Sequence, residues 1–566
     1  MSEAHTSSHA PALSVRNLKV AFGRGASAAP IVHGVDFDLA AGECLAIVGE
    51  SGSGKSVTAR SLIGLTGEGA QVSADTLQLG GTDLRSLSSS QWRRVRGAGI
   101  GFVLQDALVS LDPLRTIGQE IEGALRLHTK LPAAERRRAV LELLADVGIP
   151  EPEQRIRQRS GELSGGLRQR ALIASAVALK PPVLVADEPT TALDATVQKQ
   201  ILALLNSLKE EGTALVLISH DLAVVGDMAD RIAVMRHGEI VESGPTAEVL
   251  GDPQHDYTKR LLRAVPTGRP RGARLSVDVV TVSERQRQFY GVHRDQGQDE
   301  ESETSVLVGQ NLRKVYSNPD GSPRVAVEDV SFTLTPGTTL GIVGESGSGK
   351  STVARMALGL TQPDAGTVTL LGREWSSVKE RDRRPLRRHV ASIYQDPLGS
   401  FDPQWSVLDI LADALPGSRG LARAERESGA IHLLETVGLT SAIARRSPLR
   451  LSGGQRQRVA IARAIAGGPD IIICDEPVSA LDVSVQAQVL DLLDELQREF
   501  RLSYLFISHD LGVVQHVSDE IIVMRHGAVV EAGRAQEIFD NPQAEYTRSL
   551  LAAAPRLAQA VHGGNR

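Results

Sequence analysis

At 566 residues the chain has room for three or four folding units at roughly 150 residues each. Its 41% hydrophobic and 23% charged residues are the balance of a globular protein and exclude a disordered or fibrous chain. A formal net charge of -6 supplies no basic field to neutralise phosphates, which argues against nucleic acid as a partner. The opening MSEAHTSSHAPALSV has no charged region followed by an apolar stretch, and no run of 18 apolar residues spans a membrane. A cytoplasmic protein is expected.

The segment Gly42 to Ser56, GECLAIVGESGSGKS, returns at Gly337 to Ser351 as GTTLGIVGESGSGKS, and the later landmarks return about 290 residues on. A whole domain is duplicated. Flexible termini are expected at 1–12 and 556–566, a first domain at 13–266 and a second at 306–555. Between them, 267–305 is rich in Arg, Asp, Glu, Gln, Ser and Gly and reads as a solvated linker.

In each copy an alternating strand comes first: Val35, Phe37 and Leu39, then Val330, Phe332 and Leu334. Continuous apolar runs follow at Leu45 to Val48, Val183 to Ala186 and Ala214 to Ile218, and at Leu340 to Val343, Ile471 to Cys474 and Tyr504 to Ile507. Strands buried on both faces have this composition. With Ala-, Leu- and Arg-rich helical stretches between them, each domain is expected to be α/β, with a parallel-sheet core and an antiparallel β layer. Helical patterns dominate from about Ala107 to Glu162 and from about Pro397 to Arg450, which predicts a helical subdomain in each. Cys44 and Cys474 lie in apolar runs and read as core packing, since two isolated thiols cannot make a four-ligand metal site.

GESGSGKS, at Gly49 to Ser56 and Gly344 to Ser351, fits a phosphate loop between an apolar strand and a helix. Lys55 and Lys350 would face the β and γ phosphates of ATP, and the Ser56 and Ser351 hydroxyls would bind Mg²⁺. Ser51, Gly52, Gly54 and Val57, with Ser346, Gly347, Gly349 and Thr352, complete the nucleotide cradles. VLVADEP and IIICDEP end strands in acid pairs. Asp187 and Asp475 suit the metal, and Glu188 and Glu476 suit a base that polarises water.

LSGGLRQR at Leu163 to Arg170 and LSGGQRQR at Leu451 to Arg458 set Ser164, Gly165 and Gly166, and Ser452, Gly453 and Gly454, at a helix start where free N–H groups can take a γ-phosphate. This resembles the signature sequence of ABC ATPases, and the resemblance covers both halves apart from linker and termini. Leu167 departs from the glutamine seen at Gln455, but LSGG is intact. The resemblance implies that Gln105 and Gln395 sense Mg²⁺ and water at the hinge to the helical subdomain. It also implies that His220 and His509 contact the γ-phosphate, and that Ala192 to Asp194 and Ala480 to Asp482 communicate between domains. Phe22 and Tyr316 stand where the family stacks a ring on adenine. His237 and His526, in the repeated MRHG, read as turn residues. Head-to-tail pairing in the family would combine Lys55, Ser56, Gln105, Asp187, Glu188 and His220 with Ser452 and Gly454, and Lys350, Ser351, Gln395, Asp475, Glu476 and His509 with Ser164 and Gly166.

Two tails, DPQHDYTKRLLRAVP and NPQAEYTRSLLAAAP, resemble the extension of the dipeptide, oligopeptide and nickel importer group, as do QDALVSLDP and QDPLGSFDP. Ala544 and Glu545 depart from that pattern. The resemblance implies an ATPase at the cytoplasmic face of the inner membrane, taking up peptides through two separate permease subunits docked near Gln105 and Gln395. An extracytoplasmic binding protein would deliver the substrate. The four cysteines of an iron–sulfur cluster found in some relatives are absent from this sequence. Import of nickel or another small solute, export, and a soluble tandem ATPase acting in translation or DNA repair are the alternatives; the last predicts a long basic helical linker.

Overall fold

A computed structural model of the chain describes residues 10–23, 28–105, 110–191, 193–277, 286, 305–317, 321–479 and 481–554. The expected flexible termini, most of the linker, and Ala192 and Ala480 lie largely or wholly outside these. The chain forms two compact units and passes from one to the other after Leu262.

In the first unit the strands Leu13–Phe22 and Ala29–Leu39 pair antiparallel and carry the short strands Ala70–Ser73, Thr76–Leu79 and Thr82–Asp83. Val35, Phe37 and Leu39 alternate inward as the sequence predicts. A second sheet runs in the order Glu239–Pro245, Arg231–Arg236, Cys44–Val48, Ala214–Ile218, Val183–Asp187, Ile100–Val103, parallel except for the hairpin at its first edge. Its three central strands are buried along their whole length, which is why they read as unbroken apolar runs. Helices Ile117–His128 and Ala133–Asp146 fall within the expected helical part and pack with Gly165–Val177, which lies beyond its expected end. The first of these is started by a capping box, the Thr116 hydroxyl accepting the Gln119 N–H while the Gln119 side chain accepts that of Thr116.

The second unit repeats this plan. Pro323–Leu334, Leu307–Ser317, Ala365–Leu370 and Arg373–Glu374 make the antiparallel layer. Val390–Ile393, Ile471–Asp475, Ser503–Ile507, Thr339–Val343, Glu520–Arg525 and Ala528–Arg534 make the core sheet. Helices Val407–Ala414, Arg423–Thr436 and Gly453–Ile465 make the helical part. Cys44 and Cys474 are buried, and burial pushes the Cys44 thiol up to about 12 and the Cys474 thiol also upward. Among the described residues no helix is long and apolar enough to cross a membrane.

The first part of the expected solvated linker is instead folded onto the second unit. Leu275 is 1% exposed and, with Ala264, belongs to that unit's core. The Asp491 carboxylate accepts the N–H of Leu275 at 3.0 Å, the N–H of Ser276 at 2.8 Å and the Ser276 hydroxyl at 2.6 Å. Arg271 pairs with Asp519 and donates to the Gln497 side-chain carbonyl at 3.0 Å. A charge-rich composition hides this because one leucine and satisfied polar groups do the anchoring. Asp491→Ala leaves two N–H groups without their acceptor, a loss of about 1–3 kcal/mol each when buried. We expect a fall of several degrees in the calorimetric transition of the second unit and faster tryptic cleavage at Arg271 and Arg274. Unchanged cleavage and Tm would mean that the segment is solvated after all.

Candidate functional site

In the first unit the buried strand Cys44–Val48 delivers the chain to a loop that closes on the helix Lys55–Leu62. Gly49, at φ 151°, has no alternative: a Cβ there would lie 2.1 Å from the Met235 carbonyl oxygen. Gly54 caps the helix at φ 104°, a left-handed position that favours glycine. Lys55 is buried at 6% exposure, and its ammonium donates to the Gly49 and Glu50 carbonyls, each at 2.7 Å. Lys350 repeats this on Gly344 and Glu345 at 2.8 and 2.9 Å. Burial pulls the Lys350 ammonium below its ordinary range, against the attraction of Glu476.

The strand Val183–Asp187 ends in the first acid of the pair. Asp187 is fully buried and its Oδ1 accepts the Ser56 hydroxyl at 3.1 Å, while Oδ2 is buried with no hydrogen-bond partner. Burial pushes the carboxyl up, and Ser56 opposes that. In the second unit Asp475, only partly buried, accepts the Ser351 hydroxyl at 3.2 Å, and burial pushes its carboxyl up in the same way. A buried carboxylate with an orphaned oxygen beside a hydroxyl is a donor set that fits a hard divalent cation such as Mg²⁺.

The next residue is held differently. Glu188 has φ 51° and Glu476 φ 52°, strained for a side chain of that size, and each N–H is fixed by the neighbouring strand, on the Ile218 and Ile507 carbonyls at 2.9 Å. Gln105 donates its amide N–H to Glu188 at 2.8 Å, and His220 Nδ1 lies 3.2 Å from the other carboxylate oxygen. In the second unit Gln395 donates to Glu476 at 2.8 Å and His509 Nδ1 stands at 3.3 Å. Burial alone would raise these glutamates, but the histidine hydrogen bond and charge override it and hold both below the carboxylate range. Burial would likewise lower the imidazoles, yet the glutamates hold both above their ordinary value. The glutamines expected beside the metal therefore have their amide N–H turned to the glutamates.

Each unit thus brings Lys, Ser, Asp, Glu, Gln and His together. The signature serines cap their own helices instead: Ser164 Oγ accepts the Leu167 N–H at 3.4 Å, and Ser452 Oγ accepts that of Gln455 at 3.3 Å. Only the second helix has the reciprocal bond, from the Ser452 N–H to the Gln455 side chain at 3.1 Å, so Leu167 costs the first signature half of its cap. Gly454 is needed for packing as well, since a Cβ would meet Val485 at 2.3 Å. Phe22 is partly packed against the core, whereas the Tyr316 ring is 39% exposed under Lys314. His237 and His526 are turn residues, at φ 47° and 49°. What the sequence did not reveal is their neighbours' role. The Gly238 N–H donates to the Ser53 carbonyl at 2.9 Å and the Gly527 N–H to that of Ser348 at 3.1 Å, so these turns brace the phosphate loops. The repeat of MRHG was the available signal.

The imidazole–carboxylate pairs make stability depend on pH. A histidine whose folded pKa is raised contributes fully below its unfolded value, about 6.5, and less as pH climbs through the folded one. A glutamate whose folded pKa is lowered contributes above about 4.3 and loses it as pH falls through the folded one. The Tm gap between the nucleotide-free protein and its His220→Gln/His509→Gln variant should therefore be widest between about pH 5 and 6.5 and narrow above. A gap constant to pH 9 would show that the pairs are uncharged.

A family model described as ABC transporter matches residues 32–191 and 327–479. A second, for the C-terminal region of oligopeptide/dipeptide transporters, matches 241–287 and 530–565. The Peptidoglycan transport ATP-binding protein YejF of Agrobacterium fabrum is 46% identical over 547 residues, covering 96% of each chain. The Glutathione import ATP-binding protein GsiA of Shigella dysenteriae is 42% identical over 568 residues, covering 96% of this chain and 89% of that one. That of Escherichia coli O157:H7 is 41% identical over 565 residues with the same coverage. Because the family match recurs in both units and the relatives align nearly end to end, the chain belongs to the ABC transporter family, as an ATP-binding subunit that hydrolyses ATP for a membrane permease component.

Proposed function

We propose that the chain powers uptake of peptides or peptide-like solutes from the cytoplasmic face of the inner membrane, with two permease subunits and an extracytoplasmic binding protein. The observation that carries this is the oligopeptide/dipeptide C-terminal region, which follows both ABC transporter matches, at 241–287 and 530–565. Relatives named for peptidoglycan transport and glutathione import support it, since both names denote peptide-bearing solutes.

Within each unit the contacts support the following roles. Lys55 and Lys350 exchange loop carbonyls for the β and γ phosphates of ATP, a charge-assisted interaction stronger than the one they leave. Ser56 with Asp187, and Ser351 with Asp475, would hold Mg²⁺, which supplies positive charge to those phosphates when bound; Gln105 and Gln395, bonded to the glutamates, would sense the metal and its water from that side. Glu188 and Glu476 polarise the attacking water. Their pairing with His220 and His509 keeps both carboxylates ionised, the form a base needs. Release of the imidazole from the glutamate would turn it toward the γ-phosphate. The signature residues Ser164, Gly165 and Gly166, and Ser452, Gly453 and Gly454, offer a helix start to a γ-phosphate. Phe22 and Tyr316 stack on adenine.

Glu188→Gln with Glu476→Gln should keep ATP binding and lower turnover on the order of 10² or more. Unchanged ATPase activity would remove both from the chemistry. Cells lacking the gene should lose uptake of small peptides; retained peptide uptake with lost uptake of nickel or another solute would replace the substrate and spare the ATPase.

A further inference from the structure

The tail helix of each unit reaches the phosphate loop. In the first unit the helix Asp256–Arg263 carries Tyr257, 3% exposed, whose hydroxyl accepts the N–H of Glu50 at 3.0 Å. In the second, Tyr546 on the helix Glu545–Ala553 accepts the N–H of Glu345 at 3.3 Å. Both rings lie under an arginine from the adjoining hairpin, Arg236 at 5.0 Å and Arg525 at 4.7 Å. Each tail is also fastened where it begins. Glu242 accepts the N–H groups of Gln254 and His255 at 2.7 and 3.1 Å, and Glu531 those of Gln543 and Ala544 at the same distances. The arrangement is thus built twice, even though Ala544 and Glu545 depart from the usual residues of the tail.

We infer that Tyr257 and Tyr546 are positioning residues of the phosphate loops, through which the C-terminal region sets ATP affinity. Glu50 is held from both sides: its carbonyl by the Lys55 ammonium at 2.7 Å and its N–H by the Tyr257 hydroxyl. Glu345 is held likewise by Lys350 at 2.9 Å and Tyr546. When phosphates draw the ammonium away, the first hold is released and the tyrosine remains. It keeps the peptide from turning just where the loop must stay fixed. The effect belongs to binding, because neither hydroxyl contacts Glu188, Glu476 or the acids that would carry Mg²⁺.

The test uses the full chain with Tyr257→Phe, Tyr546→Phe and both together. Phenylalanine keeps the ring under the arginine and removes only the hydroxyl, so the fold should hold and Tm should stay within about 2 °C of the parent, as for loss of modest hydrogen bonding in each unit. KM for ATP in the double variant should rise about three- to tenfold with kcat within about twofold, and each single variant should lie between. The Kd for ATP, measured in the Glu188→Gln/Glu476→Gln background, should rise by the same factor. Tyr257→Leu with Tyr546→Leu, which also loses the ring, should lower Tm as well. Unchanged KM and Kd in the phenylalanine variants would overturn the inference, and so would a fall in Tm or kcat without a change in affinity.

Discussion

Charge taken out of water governs this molecule. At the end of one sheet in each unit, an ammonium, two adjacent carboxylates and an imidazole are withdrawn from solvent, and any one of them left alone would cost several kcal/mol. The structure distributes the cost. Lys55 leans on two loop carbonyls, Glu188 on His220 and Gln105, and Asp187 on Ser56 alone. Asp187 is the member with an unmet oxygen, so it is also the one that a cation would satisfy. Strained backbone at Glu188 and Glu476 is tolerated because the neighbouring strand pins each N–H.

The sheet explains why so much of this was readable from the residues. Strands buried on both faces must be apolar along their length, so Val183 to Ala186 and Ile471 to Cys474 announce themselves, and an acid at the end of such a strand has nowhere to hide. The phosphate loop is legible for a related reason, since Gly49 and Gly344 sit where a Cβ would strike a carbonyl. Contacts between distant segments are another matter. Nothing local marks Gly238 as the partner of Ser53, or Tyr257 as the partner of Glu50, because one hydrogen bond leaves no periodicity. The linker misled for the opposite reason. Its composition looks solvated, but its first part is held on the second unit by Asp491, which accepts the Leu275 and Ser276 N–H groups, and by Asp519, which pairs with Arg271.

The duplication also shows which features the fold insists on and which it lets drift. The Lys, Ser, Asp, Glu, Gln and His contacts agree between copies to within a few tenths of an ångström. The tail is fastened through the backbone N–H groups of residues 543 and 544, which any non-proline side chain leaves available. That is why the departures at Ala544 and Glu545 leave the tyrosine in place.

Drift is visible around the signature helices. Gln455 completes the cap of the second, and Arg463 on the same helix donates to the Ser400 carbonyl and hydroxyl at 2.7 and 2.8 Å while lying 4.9 Å from the centre of the Phe401 ring. The first copy has Leu167, Ser175 and Leu111 at the corresponding positions. A serine cannot span that gap, and a leucine offers a guanidinium no π face. The second signature helix is therefore tied to the segment that follows Gln395 by bonds whose side chains the first lacks. Two units with matching chemical groups thus differ in the side chains that mount them, and two of the three differences fall inside the recognised motifs, Leu167 in LSGGLRQR and Leu111 in QDALVSLDP.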